Sequence, residues 1–205
     1  TTAAPIWTNA GKPSETDAGA HIYNNIVLAA RRFDEYVPGE TSSPLDAVTG
    51  FPNMPNGSGL KAVTYIAWDL DSDNIFEPGT YKIVLDGDSG MRMRVQAGNG
   101  AFDRTFSAGT NDLVVGATAD AEFRITVTGG ALTQWEFWRP GTFGTTAYFH
   151  PTAKARLREF EGIRCMDLTR TNNSTRTLDS NFADTQYFTW GRGYDAERLI
   201  AFENE

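Results

Sequence analysis

The chain has 205 residues, of which 40% are hydrophobic and 12% aromatic, and its formal net charge is −8. This apolar content is enough for a folded core, whereas the net negative charge disfavours nucleic-acid phosphates and anionic membranes as main partners. No apolar run of about 18 residues predicts a membrane span, and the single Cys165 excludes an internal disulfide and a multi-cysteine metal site.

The first predicted elements mix regular and irregular structure. The apolar run His21–Ala30 predicts either a strand or a short helix. Residues Glu40–Gly59 are rich in Pro, Gly, Ser and Asn without a clear period, which predicts a long loop of the kind that is often functional or mobile. Strands are predicted next at Ala62–Trp68 and at Gly79–Leu85, where Tyr81, Ile83 and Leu85 alternate onto one face.

Further short strands follow, separated by turn signals such as Asp86-Gly87-Asp88-Ser89-Gly90. In Met91–Val95 the Met and Val side chains are predicted to point inward and the Arg side chains outward. The segments Asp112–Val115, Glu122–Thr128 and Gln134–Trp138 continue the series. This pattern predicts a mainly β domain over residues 1–150, an antiparallel β-sandwich of jelly-roll type.

The pattern of apolar and polar residues changes after Pro151. Residues Thr152–Phe160 have helical spacing, Gly162–Leu168 forms an apolar strand pattern, and a polar loop and a helix-like run follow. A lone strand and helix cannot bury their apolar faces. We therefore expect residues 151–205 to be the first strand–helix unit of a larger α/β domain that needs further chain, a protein partner or self-association, and the resemblance described below implies that this domain is a truncated (β/α)₈ barrel.

A run of acidic residues could hold a cation. Asp69, Asp71 and Asp73 place carboxylates two residues apart, an arrangement suited to Ca²⁺. The EF-hand pattern wants Gly and Glu at its sixth and twelfth positions, where this chain has Asn74 and Thr80. The alternative is a polar turn between two strands.

Aromatic residues could stack on sugar rings, and we single out Trp68, Trp135 and Trp138 as candidate carbohydrate ligands. Trp135 and Trp138 are three residues apart, so in a regular strand they point to opposite faces and at most one belongs to the core. Core packing is the alternative for each ring.

The polar loop of the tail offers a further set of candidates. Arg170, Asn172 and Asn173 follow the predicted strand, and the carboxyl ends of barrel strands commonly carry functional side chains. They could bond sugar hydroxyls, whereas Arg164 and Asp167 could equally form a structural ion pair.

The string Phe160–Ser174 resembles the LRFMDW…TN signature of bacterial and phage-encoded glycoside-hydrolase-like proteins, in which a cellulose-binding-like β-sandwich precedes a (β/α)₈ barrel. Trp190-Gly191-Arg192 is similar to that family's Trp–Arg motif, and Pro78–Tyr81 to its sandwich hairpin. The chain differs from the signature at Cys165 and Leu168, where the family often has aromatic residues.

The resemblance implies the carbohydrate-recognition region of a secreted or phage-borne protein, acting on a polysaccharide or cell-surface glycan outside the cell or on a virion. Glycosidases need two carboxyl groups across the scissile bond, and most barrel strands that would supply them are absent from the sequence, so we expect this piece alone to be non-catalytic. The alternative is a structural virion or surface-assembly component, such as a tail fibre, spike or decoration protein, with the sandwich as adaptor.

Overall fold

The computed structural model describes residues 7–9, 23–33, 40–66, 76–98, 100–116, 122–157 and 162–164. Within these ranges the strands are β1 (Trp7–Asn9), β2 (Lys61–Ile66), β3 (Gly79–Gly87), β4 (Arg92–Ala97), β5 (Asp103–Phe106), β6 (Gly109–Val115), β7 (Phe123–Thr128), β8 (Leu132–Trp138) and β9 (Gly162–Arg164). A 3₁₀ helix covers Ile26–Ala29 and the α-helix α1 covers Pro151–Leu157.

Seven of these strands form two antiparallel sheets. One has the order β2-β7-β4-β5 and the other the order β6-β3-β8. The chain passes back and forth between the sheets, so strands that are neighbours in space are often distant in sequence. The prediction of a mainly β, antiparallel architecture is confirmed.

The two sheets share one apolar core, which makes the architecture sandwich-like. Alternation along the strands supplies it: Phe123, Ile125 and Val127 of β7 are fully buried, as are Tyr81 and Ile83 of β3. The predicted shared face of Tyr81, Ile83 and Leu85 is confirmed, as are the inward and outward positions in Met91–Val95.

Aromatic rings join the sheets at the centre of the core. The ring of Phe123 on β7 stacks on Phe76 at 3.7 Å and on Phe137 of β8 at 5.6 Å between centroids. Tyr81 of β3 meets Phe123 and Phe137 edge-on. Such ring pairs add to the energy of area burial, so this cluster fixes how the sheets face each other.

The segment Glu40–Gly59 is irregular, as predicted, but it is packed against the sandwich. Phe51 and Met54 are buried in the core, and the amide of Leu132 donates to the carbonyl of Pro52 at 3.0 Å. The Asp46 carboxylate accepts from the amide of Thr49 at 2.7 Å, and this backbone bond is the largest cause that lowers the pKa of Asp46. The loop is therefore held against the sandwich by buried side chains and by a backbone hydrogen bond.

Two elements escaped a definite prediction. The sequence pattern of His21–Ala30 was compatible with either a strand or a short helix, and the described part of this segment contains the 3₁₀ helix. The Asn25 side chain caps this helix by accepting from the amide of Val27 at 3.3 Å.

Strand β5 was not predicted. It lies at the edge of its sheet, where Asp103 pairs with Arg94 on the neighbouring strand.

After the sandwich, α1 overlaps the predicted helix Thr152–Phe160 and begins one residue before it, whereas β9 falls within the predicted strand Gly162–Leu168. Strand β9 pairs in parallel with β1, with Trp7 opposite Gly162 and Asn9 opposite Arg164. The rest of the tail lies outside the described residues, so the barrel and the boundary between residues 150 and 151 stay predictions.

Gly129 sits where two turns approach closely. Its φ is +80°, and an added Cβ would lie 2.4 Å from the carbonyl oxygen of Gly90. Gly100 has a similar φ of +76° with nothing within 4 Å of such a Cβ. We expect Gly100→Ala to cost about 1–2 kcal/mol of unfolding free energy through backbone strain, and Gly129→Ala about 1–3 kcal/mol more. Urea unfolding of both variants measures the difference, and equal losses would contradict the close approach.

Candidate functional site

The outer face of the three-stranded sheet is the candidate site. In β8 the side chains of Trp135 and Phe137 are buried, whereas Glu136 and Trp138 are partly exposed, so the strand presents one acid and one indole outward. In β3 and β6 the outward residues include Lys82 and Asp112. We call this surface, made by Gln134, Glu136, Trp138, Val84, Lys82, Asp86 and Asp112, the Trp138 face.

Strand register brings an aromatic and two charged side chains into one row. Lys82 lies directly opposite Trp138 on one side and directly opposite Asp112 on the other. The Lys82 ammonium contacts the Asp112 carboxylate at 2.6 Å, and both side chains are substantially exposed. Directly opposed residues share a face of the sheet, and adjacent strands are about 4.8 Å apart, so one small ligand can touch all three.

Hydrogen bonds hold the indole in place. The Nε1–H of Trp138 donates to Oε2 of Glu136 at 2.7 Å, and the side-chain Nε2 of Gln134 donates to Oε1 of the same carboxylate at 2.9 Å. Phe143, which is 50% exposed, meets Trp138 edge-on with centroids 6.3 Å apart. The ring is therefore oriented before any ligand arrives.

A compact turn carries Phe143 to this position. The carbonyl of Arg139 accepts from the amide of Thr142 at 3.1 Å and from its hydroxyl at 3.0 Å. Gly141 has φ +75°, a value that favours glycine in a turn. Beside the turn, the amide of Arg139 donates to the carbonyl of Asn24 at 3.0 Å, which ties the end of β8 to the segment before the 3₁₀ helix.

The Arg139 side chain is buried beneath this turn, with 1% of its surface exposed. Its Nε donates to the carbonyl of Tyr23 at 2.9 Å, and Nη1 lies 3.9 Å from the Glu77 carboxylate, an ion-pair contact too long for a hydrogen bond. Burial lowers the pKa of Arg139 and raises the pKa of Tyr81, whose hydroxyl donates to the Glu77 carbonyl at 3.1 Å. Burial and the nearby Arg139 charge lower the pKa of His150.

The predicted carbohydrate ligands have different locations. Trp135 and Trp138 point to opposite faces, as expected: Trp135 is 3% exposed and packs in the core, so it offers no free ring face, whereas Trp138 lies at the surface. Trp68, Arg170, Asn172 and Asn173 lie outside the described residues.

The predicted calcium ligands Asp69, Asp71 and Asp73 also lie outside the described residues. Across the ranges that are described, no group of three or more His, Cys, Asp or Glu side chains is arranged to hold a metal ion. In the same ranges, no helix has the length and apolar character needed to cross a membrane.

Sequence reasoning did not single out Lys82, Asp112, Glu136 or Gln134 as site residues. The alternation of each strand marks them as outward, because their neighbours Ile83, Leu113, Trp135 and Phe137 are apolar. The alternation does not reveal the register of β3 with β6 and with β8, and this register places Lys82 between Trp138 and Asp112.

Comparisons with known proteins add little to this description. No family model matches the chain, and no curated protein matches it. A solved structure described as accessory secretory protein 1, 2 and 3 in Streptococcus pneumoniae is similar over 56% of this chain and 90% of that chain, with 11% identity and a TM-score of 0.26. A TM-score this low supports no argument about either fold or function.

Proposed function

We propose that the sandwich is a carbohydrate-recognition module and that the Trp138 face is its binding surface. The observation that carries the proposal is a partly exposed, pre-oriented indole in one row with Lys82 and Asp112. Sugar rings present C–H groups to an aromatic face and hydroxyls to polar groups around it, and this surface supplies both kinds of partner.

The resemblance of the tail to glycoside-hydrolase-like proteins supports the same function from a separate part of the sequence. Under this proposal the sandwich serves as the recognition region beside a barrel, outside the cell or on a virion. The ligand is a polysaccharide or a cell-surface glycan. The Trp138 face provides affinity, and any hydrolysis belongs to other parts of the protein.

Replacing the exposed ring tests the proposal. We expect Trp138→Ala to weaken glycan binding about tenfold or more, because the apolar contact area of the indole is lost. Trp138→Phe keeps an aromatic ring and should retain intermediate affinity. The measurement is a glycan array followed by calorimetric titration of the best ligand.

Val48→Ala is the matched control, since Val48 is 46% exposed but belongs to the irregular segment before β2. It should bind as the unmodified chain does. A chain that binds no glycan on the array would overturn the proposal. Self-association that Trp138→Ala abolishes, measured as mass in solution, would instead favour the structural role in a virion or surface assembly.

A further inference from the structure

The Trp138 face carries more negative than positive side chains, and this charge affects which ligands it can bind. Its outward charged side chains are the carboxylates Asp86, Asp112 and Glu136 and the ammonium Lys82. Lys82 is engaged by Asp112 at 2.6 Å, so its charge is largely balanced. The Glu136 carboxylate accepts from two neutral donors, Trp138 and Gln134, and these hydrogen bonds leave its negative charge unbalanced beside the indole.

Resting on the proposed function, we propose that the Trp138 face selects glycans by charge, binding amino sugars more tightly than neutral sugars and rejecting acidic ones. A protonated amine on a sugar stacked at Trp138 would gain a charge-assisted contact with Glu136. A sugar carboxylate in the same place would meet a like charge, and among the described residues of this face no free cation offsets it. The whole chain, with its net charge of −8, adds to this repulsion over longer distances.

The geometry of Glu136 allows a conservative test. In Glu136→Gln the side-chain carbonyl still accepts the Trp138 Nε1–H, so the ring keeps its orientation while the negative charge is removed. An exposed ion pair is a weak interaction, which sets the expected change in preference at about threefold to fivefold.

The ligands are a hexamer of β-1,4-linked glucosamine, its N-acetylated counterpart and a hexamer of galacturonic acid, titrated at mildly acidic pH and low salt. We expect the amine-bearing hexamer to bind the unmodified chain about threefold to fivefold more tightly than the acetylated one, and the acidic hexamer most weakly. Glu136→Gln should abolish the preference for the amine, so that the amine-bearing and acetylated hexamers bind this variant with about equal affinity. Added salt should reduce the preference as well.

Asp103→Asn is the matched control, because it changes the net charge equally but lies on the four-stranded sheet. It should leave the order of ligands unchanged. Binding of the acidic hexamer as tight as that of the amine-bearing one, or a preference that survives Glu136→Gln, would overturn the charge selection while recognition itself stands. Absence of binding by all three hexamers and by every glycan on the array would overturn the proposed function and this inference together.

Discussion

Phe123→Ala is expected to lower the free energy of unfolding by about 3–5 kcal/mol. The ring is fully buried, stacks on Phe76 and Phe137, and meets Tyr81 and Phe102 edge-on. Truncation removes these contacts and leaves a cavity between the two sheets. Because the neighbouring rings come from the opposite, three-stranded sheet and from the segments before β3 and β5, the surrounding structure cannot collapse from one side to fill it.

Equilibrium unfolding in urea, followed by far-ultraviolet circular dichroism, measures this loss. Phe143→Ala is the matched control, since it removes the same ring from a position that is 50% exposed, and it should change stability by no more than about 0.5 kcal/mol. A loss below about 1 kcal/mol for Phe123→Ala would contradict a single core shared by the two sheets.

The strands and their buried faces were predictable because each is a local property of the sequence. A period of two in Tyr81, Ile83 and Leu85, or in Phe123, Ile125 and Val127, dictates which side chains lie inward whatever the partner strand is. The edge strand β5 has no such signal, since three of its four residues are exposed and polar and its pairing with β4 is what orders it.

Packing of irregular segments was less predictable for a related reason. Phe51 and Met54 enter the core from a stretch whose composition is typical of a loop. Composition reports how easily the backbone turns, whereas burial of two apolar side chains depends on where the sheets leave room. The sequence shows that apolar side chains are present in the loop, but it does not show which of them the sheets have room to bury.

The candidate site was predictable only in part. Opposite orientation of Trp135 and Trp138 follows from their spacing, and it identifies one of them as a surface ring. The row through Trp138, Lys82 and Asp112 joins residues from three strands far apart in the chain, and a shift of one residue in either pairing would turn a partner to the other face. The row could therefore not be predicted from the sequence, because it depends on the pairing register of strands that are far apart in the chain.

Arg139→Ala is expected to lower the free energy of unfolding by about 2–5 kcal/mol, although the residue follows the last strand of the sheet and is charged. Its side chain is 1% exposed, and its Nε–H satisfies the carbonyl of Tyr23. The truncation leaves that carbonyl without this donor, leaves Glu77 without the guanidinium 3.9 Å away, and opens a cavity beneath the turn that carries Phe143.

Arg139→Met separates packing from charge. Methionine fills much of the same volume without bringing a charge into the interior, so this variant should lose less stability than Arg139→Ala. Arg92→Ala is the control for an exposed arginine and should lie within about 0.5 kcal/mol of the unmodified chain. Urea unfolding of the three variants checks the order. Equal losses for Arg139→Ala and Arg139→Met would assign the effect to the hydrogen bond with Tyr23 and to the charge near Glu77. A loss for Arg139→Ala as small as that for Arg92→Ala would contradict a stabilising role for the buried guanidinium.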